Sequence, residues 1–427
     1  MELLEGAVRE YAWGSPTGIP EILGSEPDGR PLAELWLGAH PQGAATVVRT
    51  AAGREAGRGL DALIADDPER LLGREVLERF GPRLPFLLKL LSARTALSIQ
   101  THPTLAQARA GFAAEEARGI PRDAPERSYR DEWHKPELVC ALSEFHALCG
   151  FRPLAAVRAT ADRLAAAAGD GLGPELAGAL TEWRSSLSAG GRPWPTVRDE
   201  ARILRHSLSL VLSDPGRYGP LADALAATEV PEAEAGHPSL AGSCVDPVRT
   251  LRETNRDFPG DPGALVALML MRFLLQPGEA LALEAGVLHA YLGGLAVEVM
   301  ASSDNVLRGG LTAKHIDVDE LVATTGSAVA VPHILTADAV GELRGSTDDF
   351  VLTVLDLRDR EAASPVTRLT RPGPLVLLCV DGAVTVSAEP AGGSLPLASG
   401  QAVFVGADEP RPAVSGTGLV FAASAAL

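Results

Sequence analysis

The segment Ser98-Ile99-Gln100-Thr101-His102-Pro103 sets an amide and an imidazole at alternate positions. In an extended strand Ser98, Gln100 and His102 share one face, and Ile99 and Thr101 share the other. Pro103 ends ladder pairing just beyond them. Alone, the hexapeptide reads first as an exposed polar strand end. Its company changes that reading. Glu137 lies in His134-Lys135-Pro136-Glu137, and His289 lies in Gly286-Val287-Leu288-His289-Ala290-Tyr291. An amide, a carboxylate and two imidazoles suffice to hold a divalent metal and keep one position open.

These residues need rigid elements to bring them together. The apolar run from Leu84 to Leu91, with Pro85 and Lys89 inside it, predicts a strand leading towards Ser98. Residues up to about Pro41 alternate short apolar pieces with turn formers and read as strands, and His40-Pro41 reads as a loop. Asp61 to Phe80 carries apolar residues at helical spacing and predicts one amphipathic helix. Leu105 to Gly119 predicts another, and Asp123 to Glu132 a charged loop. From Leu154 to Leu225 the sequence is rich in Ala and Leu at helical intervals, broken at Gly169 to Gly173 and at Gly190 to Pro195. The Gly-rich breaks lack the strand and the Gly-Lys-Ser/Thr ending of a phosphate loop and read as helix–helix turns. Val230 to His237 reads as a linker. Strand character returns near Phe273, with a turn at Gln276-Pro277-Gly278-Glu279 and a strand from Ala280 to Leu283. Later strands are expected at Val351 to Leu355, Leu375 to Val380, Ala383 to Val386 and Ala402 to Val405.

The motifs resemble those of a known family. Phe86-Leu87-Leu88-Lys89 with Ala96 to Pro103, His134-Lys135-Pro136-Glu137, His289-Ala290-Tyr291, and Ala301 to Lys314 are similar, in order, to the signatures of the type I phosphomannose isomerases. The resemblance implies a mainly β fold with a helical insertion. It implies a metal-binding, catalytic cupin-type β-barrel over residues 1–150 and 246–325, interrupted by helices over 151–245. A second β-barrel is expected over 326–427; with His333 the last histidine, it is read as structural or as one wall of the cleft. The resemblance implies one zinc per chain on Gln100, His102, Glu137 and His289. It makes Arg308 catalytic, puts Ser98, Lys135 and Lys314 against the sugar phosphate, and leaves Glu298 and Lys135 as alternative bases. The implied reaction interconverts mannose 6-phosphate and fructose 6-phosphate through a cis-enediol. Trp133, Thr104 and Glu284 depart from the family pattern, and inward-facing Trp133 or Glu284 side chains would alter the pocket.

Bulk properties bound the alternatives. A chain of 427 residues suggests two or three domains. The formal charge of −17 argues against nucleic-acid and membrane-surface partners, so an anionic substrate needs a local cluster of cations. Cys140, Cys149, Cys244 and Cys379 form no C-x-x-C pair and are expected as reduced thiols in a cytoplasmic protein, here expected to be a monomer. The N-terminus lacks a signal-peptide plan, and the Ala264 to Leu275 run is too short to span a bilayer. Two other functions are kept open: a metal cupin isomerase of another hexose 6-phosphate, and a sugar-phosphate-binding protein without turnover.

Overall fold

A computed structural model describes residues 1–50, 57–188, 196–230, 245–326, 332–359, 366–370, 372–388 and 393–427. The expected break at Gly190 to Pro195, all but the first residue of the Val230 to His237 linker, and Cys244 lie outside the described residues. The fold is mainly β with helices. One antiparallel sheet runs, in spatial order, through Ile334–Leu335, Ala280–Leu283, Glu137–Ala141, His289–Ala301, Phe86–Ala93, Ala7–Ser15 and Leu32–Leu37. Off its centre, His289–Ala301 also pairs with Phe145–Phe151 and with Gln100–Thr101. Thirteen residues long, that strand is the spine of the sheet.

The second sheet is built on Leu375–Ala388 and Pro412–Ser424. It also takes in the chain's first strand, Glu2–Glu5, which pairs with Ala402–Val405. Among the described residues neither sheet closes on itself. The sheets pack face to face through Leu88, Leu90 and Val297 of one and Val376, Phe404 and Phe421 of the other. A separate core joins the helices to the inner end of the first sheet, around Trp183, Leu208, Leu265, Ile99 and Leu288.

Several predicted elements take a different form. The single helix expected from Asp61 to Phe80 is three: Leu60–Asp66, Pro68–Leu72 and Arg74–Phe80. Pro68 cannot donate to the preceding turn and opens a new helix, with the Asp67 carboxylate accepting from the Arg70 amide at 3.4 Å. Gly73, at φ 80°, ends that one. The two strands expected between Leu375 and Val386 are one, Leu375–Ala388, with a bulge between Cys379 and Asp381 and Gly382 at φ 78°. A short helix at Gly18–Leu23 interrupts the N-terminal strands. The apolar run from Ala264 splits into a buried helix, Gly263–Met269, and a strand, Leu270–Leu275. The helices expected between Leu154 and Leu225 run as Leu154–Ala168, Pro174–Ser186, Val197–Ser213 and Pro215–Ala227. No described helix is long and apolar enough to cross a membrane.

Candidate functional site

The site is assembled by strand register. Gln100 lies opposite His289 on one side and Arg308 on the other, because the two-residue strand Gln100–Thr101 is held between His289–Ala301 and Leu307–Arg308. The regular strand expected from Ser98 to His102 is therefore only two residues long. Thr104 stops it: its hydroxyl accepts from the Gln107 amide and the Gln107 side chain accepts from the Thr104 amide, a capping box that opens helix Leu105–Ala117. Glu137 begins the neighbouring strand and sits opposite Met300. Arg308 is fixed by the turn after it. The Gly309 amide donates to the Ile99 carbonyl at 2.7 Å, and the Ile99 amide donates to the Gly310 carbonyl at 3.0 Å. Gly310, at φ 114°, lies so close to Gly263 that an added Cβ would stand 2.4 Å from its Cα.

His102, Glu137 and His289 are buried together, with one ligand atom of each within 4.8 Å of the others. His102 Nδ1 lies 2.7 Å from the Asn305 carbonyl and His289 Nδ1 lies 2.9 Å from the Val287 carbonyl. A carbonyl only accepts, so both Nδ1 atoms carry the proton and donate. Burial pushes His102 down to about 4, against an ordinary value of 6.5, so its ring is neutral near pH 7. Its Nε2 then presents a lone pair, and each Nε2 stands 3.3 Å from a Glu137 oxygen. His102 Nε2, His289 Nε2 and one Glu137 oxygen have no hydrogen-bond partner. Burial acts to raise the Glu137 carboxyl, but the Lys135 ammonium beside it outweighs that and holds it well below its ordinary range. Lone pairs facing a buried carboxylate repel unless a cation lies among them. The donor set, two imidazoles and a carboxylate, fits zinc.

Beside this cluster opens a cleft of about 580 Å³, lined by Ser98, Gln100, Lys135, Glu137, Glu298, Arg308 and Lys314 among others. His102 and His289 do not reach its wall. Lys135 Nζ is 3.0 Å from a Glu137 oxygen. Across the cleft Lys89 stands directly opposite Glu298 in the ladder, its Nζ 3.1 Å from that carboxylate and 3.5 Å from Glu34. The Tyr291 hydroxyl donates to the other Glu298 oxygen at 2.8 Å. Burial raises the Glu298 carboxyl and Glu137 adds to the shift, with Lys89 opposing. Arg308 and Lys314 form no ion pair among the described residues, and burial lowers the pKa of both, with Arg130 adding to the effect. Two unpaired cations in a chain of charge −17 are the local cluster an anion needs.

A family model described as the catalytic domain of type I phosphomannose isomerase matches residues 1–154. The mannose-6-phosphate isomerase of Escherichia coli strain K12 is 36% identical over 424 residues, 98% of each chain. The chain belongs to the type I phosphomannose isomerase family. The Bos taurus mannose-6-phosphate isomerase is 31% identical over 433 residues, 95% of this chain and 93% of its own. A crystal structure of mannose 6-phosphate isomerase bound with zinc and yttrium matches 100% of both chains at 32% identity with a TM-score of 0.80.

The phosphomannose isomerase signatures thus converge on one cluster and one cleft. Three points left open in the sequence concern their surroundings. Trp133 does not line the cleft; Arg83 stacks on it at 4.3 Å. Glu284 turns away and accepts from Ser346. No described residue beyond Lys314 lines the cleft, so the C-terminal sheet does not form its wall; Asp349, in the loop before strand Val351–Asp356, meets His134 Nε2 at 2.8 Å. His40 lies in a loop, as read from the sequence, but is buried there, with its Nε2 3.4 Å from Asp304. The structural weight of Lys89, Glu34, Tyr291 and Asn305 was not drawn from the sequence. The one available signal was Lys89 itself, a lone cation inside an apolar run.

Proposed function

We propose that this chain is a zinc-dependent isomerase that interconverts D-mannose 6-phosphate and D-fructose 6-phosphate through a cis-enediol intermediate. The observation that carries the reading is the convergence of orphaned lone pairs from His102, Glu137 and His289 beside a cleft holding unpaired Arg308 and Lys314. We read Gln100 as the fourth zinc ligand, since its backbone is paired opposite that of His289. When bound, zinc supplies Lewis-acid polarisation of the sugar's carbonyl oxygen. Lys314 and Ser98 bind the phosphate end, and Lys135, held by Glu137, orients the reacting end. The reaction removes a proton from C2 of the open-chain aldose and returns it to C1. Of the two candidate bases Glu298 suits the task better. Its carboxyl, held by Lys89 and Tyr291, is raised by burial towards the working pH, faces the cleft and accepts protons as a carboxylate, whereas an ammonium paired with Glu137 has no lone pair to offer. Arg308, permanently charged and rigidly forked, faces the negative charge that develops on the enediol oxygens.

The same reading carries an architecture. The strands bearing Gln100, Glu137 and His289 lie on both sides of the helices in sequence and in one sheet in space. That supports a cupin-type catalytic barrel over residues 1–150 and 246–325, with 151–245 inserted and 326–427 as a second barrel.

The test is to load the protein with zinc, incubate it with mannose 6-phosphate and glucose 6-phosphate separately, and identify products by NMR. Mannose 6-phosphate should give fructose 6-phosphate, with about one zinc per chain by elemental analysis and most of it lost in His289→Ala. Turnover of glucose 6-phosphate alone would move the assignment to another hexose phosphate. Sugar-phosphate binding without any product would make the chain a binding protein.

A further inference from the structure

Asn305 lies three residues before Arg308 and is fully buried. A buried carboxamide must place two donors and an acceptor, and any bond left unmade there forfeits hydration with nothing in return. Asn305 makes all of them to one short segment. Its Oδ1 accepts from the Arg130 amide at 2.7 Å and the Asp131 amide at 3.2 Å. Its Nδ2 donates to the Asp131 and Trp133 carbonyls, each at 2.8 Å, and more weakly to the Asp131 carboxylate at 3.3 Å. That carboxylate is itself held, accepting from the Ser303 hydroxyl at 2.9 Å and the Asp304 amide at 2.8 Å. The segment runs directly into Lys135 and Glu137. The Asn305 backbone faces the other way, its carbonyl accepting from His102 Nδ1 at 2.7 Å.

We propose that Asn305 is a positioning residue for the isomerase: its carboxamide pins the 130–133 segment that delivers Lys135 and Glu137, and this anchoring aims its carbonyl at the His102 ring. The proposal rests on the zinc isomerase reading for its kinetic arm only. The bond to Nδ1 fixes the tautomer in which His102 Nε2 is the free lone pair, and a partner behind a metal-binding imidazole typically changes metal affinity by 10- to 100-fold. One residue, through its side chain and its carbonyl, thereby ties together three stretches that are remote from one another in sequence: Gln100 to His102, Lys135 to Glu137, and Arg308. The alternative is plain packing, and the two differ in what a substitution moves.

Asn305→Asp keeps the shape but turns a second oxygen towards the Asp131 and Trp133 carbonyls; Asn305→Ala removes the anchor. The readouts are zinc Kd by chelator competition, kcat and KM on mannose 6-phosphate at saturating zinc, and Tm. The expected result is zinc Kd weakened 10- to 100-fold in both variants, with kcat at full occupancy falling at least tenfold and more than KM rises. A lower Tm with zinc Kd and zinc-saturated kcat within twofold of the parent would overturn the proposal, because that is the signature of packing alone. Should both variants fail to fold, Asp131→Asn perturbs the same hub from its half-buried rim. It should weaken zinc several-fold, and unchanged zinc affinity there would overturn the proposal equally. A parent protein that binds zinc but turns over no sugar would sink the isomerase reading while leaving the zinc arm of this test intact.

Discussion

Replacing Lys89 by Met removes one charge and keeps most of the stem. Lys89 lies between Glu298 and Glu34, at 3.1 and 3.5 Å, with side-chain exposures of 6%, 3% and 10% for the three residues. Its Nζ also stands 5.3 Å from the centre of the Trp36 ring, whose Nε1 donates to Glu34. Burial alone would discharge the ammonium, but Glu34 and Glu298 outweigh it and raise its pKa. Breaking such a buried pair costs about 3–5 kcal/mol, since a desolvated carboxylate is left unpaired. Protonation of Glu298 caps that cost. Neutralising a carboxyl of ordinary pKa 4.5 at pH 7 takes about 3.4 kcal/mol, at about 1.36 kcal/mol per pH unit. The expected loss for Lys89→Met at pH 7 is therefore about 3 kcal/mol in urea denaturation. In the variant the folded pKa of Glu298 is raised further above its unfolded value. A raised folded pKa stabilises below the unfolded pKa and loses that stability as pH rises. The deficit relative to the parent should accordingly shrink as pH falls from 7 towards 4.5. Lys89→Met combined with Glu298→Gln should recover most of the loss at pH 7. A single variant within about 0.5 kcal/mol of the parent at pH 7, the scale of an ordinary surface substitution, or a deficit that does not change with pH, would refute the buried-charge argument.

Two further outcomes follow from the site. Arg308→Lys should lower kcat about a hundredfold, roughly 3 kcal/mol, with a modest change in KM, by analogy with loss of an oxyanion donor. Steady-state kinetics with zinc content checked in the same sample decide it, and a raised KM with native kcat would make Arg308 a phosphate anchor only. The zinc-free protein should lose stability on acidification. Burial lowers both His40 and His102 from 6.5 to about 4, so their contribution is present above pH 6.5 and is lost as pH falls through about 4. Urea midpoints measured across that window should fall with pH, and less steeply in His40→Gln; parallel curves would refute the assignment to His40.

Much of the chemistry was legible along the chain. Gln100, His102, Glu137 and His289 stand in short motifs whose residue types suit a metal, and strands such as Ala280–Leu283 and Ala402–Val405 follow from apolar runs between turn formers. Local punctuation was legible in kind but not always in consequence. Pro68 and Gly73 lie in plain view, yet helical periodicity carried the expectation across both, since an apolar stripe continues through three helices that pack on one core. What the chain could not express was partnership across sequence distance. Lys89 reads as an oddity in an apolar run until the ladder sets it opposite Glu298 and next to Trp36. Asn305 reads as one polar residue among several until its carboxamide meets the 130–133 backbone. The first strand pairs with Ala402–Val405, almost the whole chain away. Residue type and periodicity encode which groups can do chemistry and which face of an element is apolar. Register and burial decide which charges lose water together, and that depends on neighbours only the folded chain supplies.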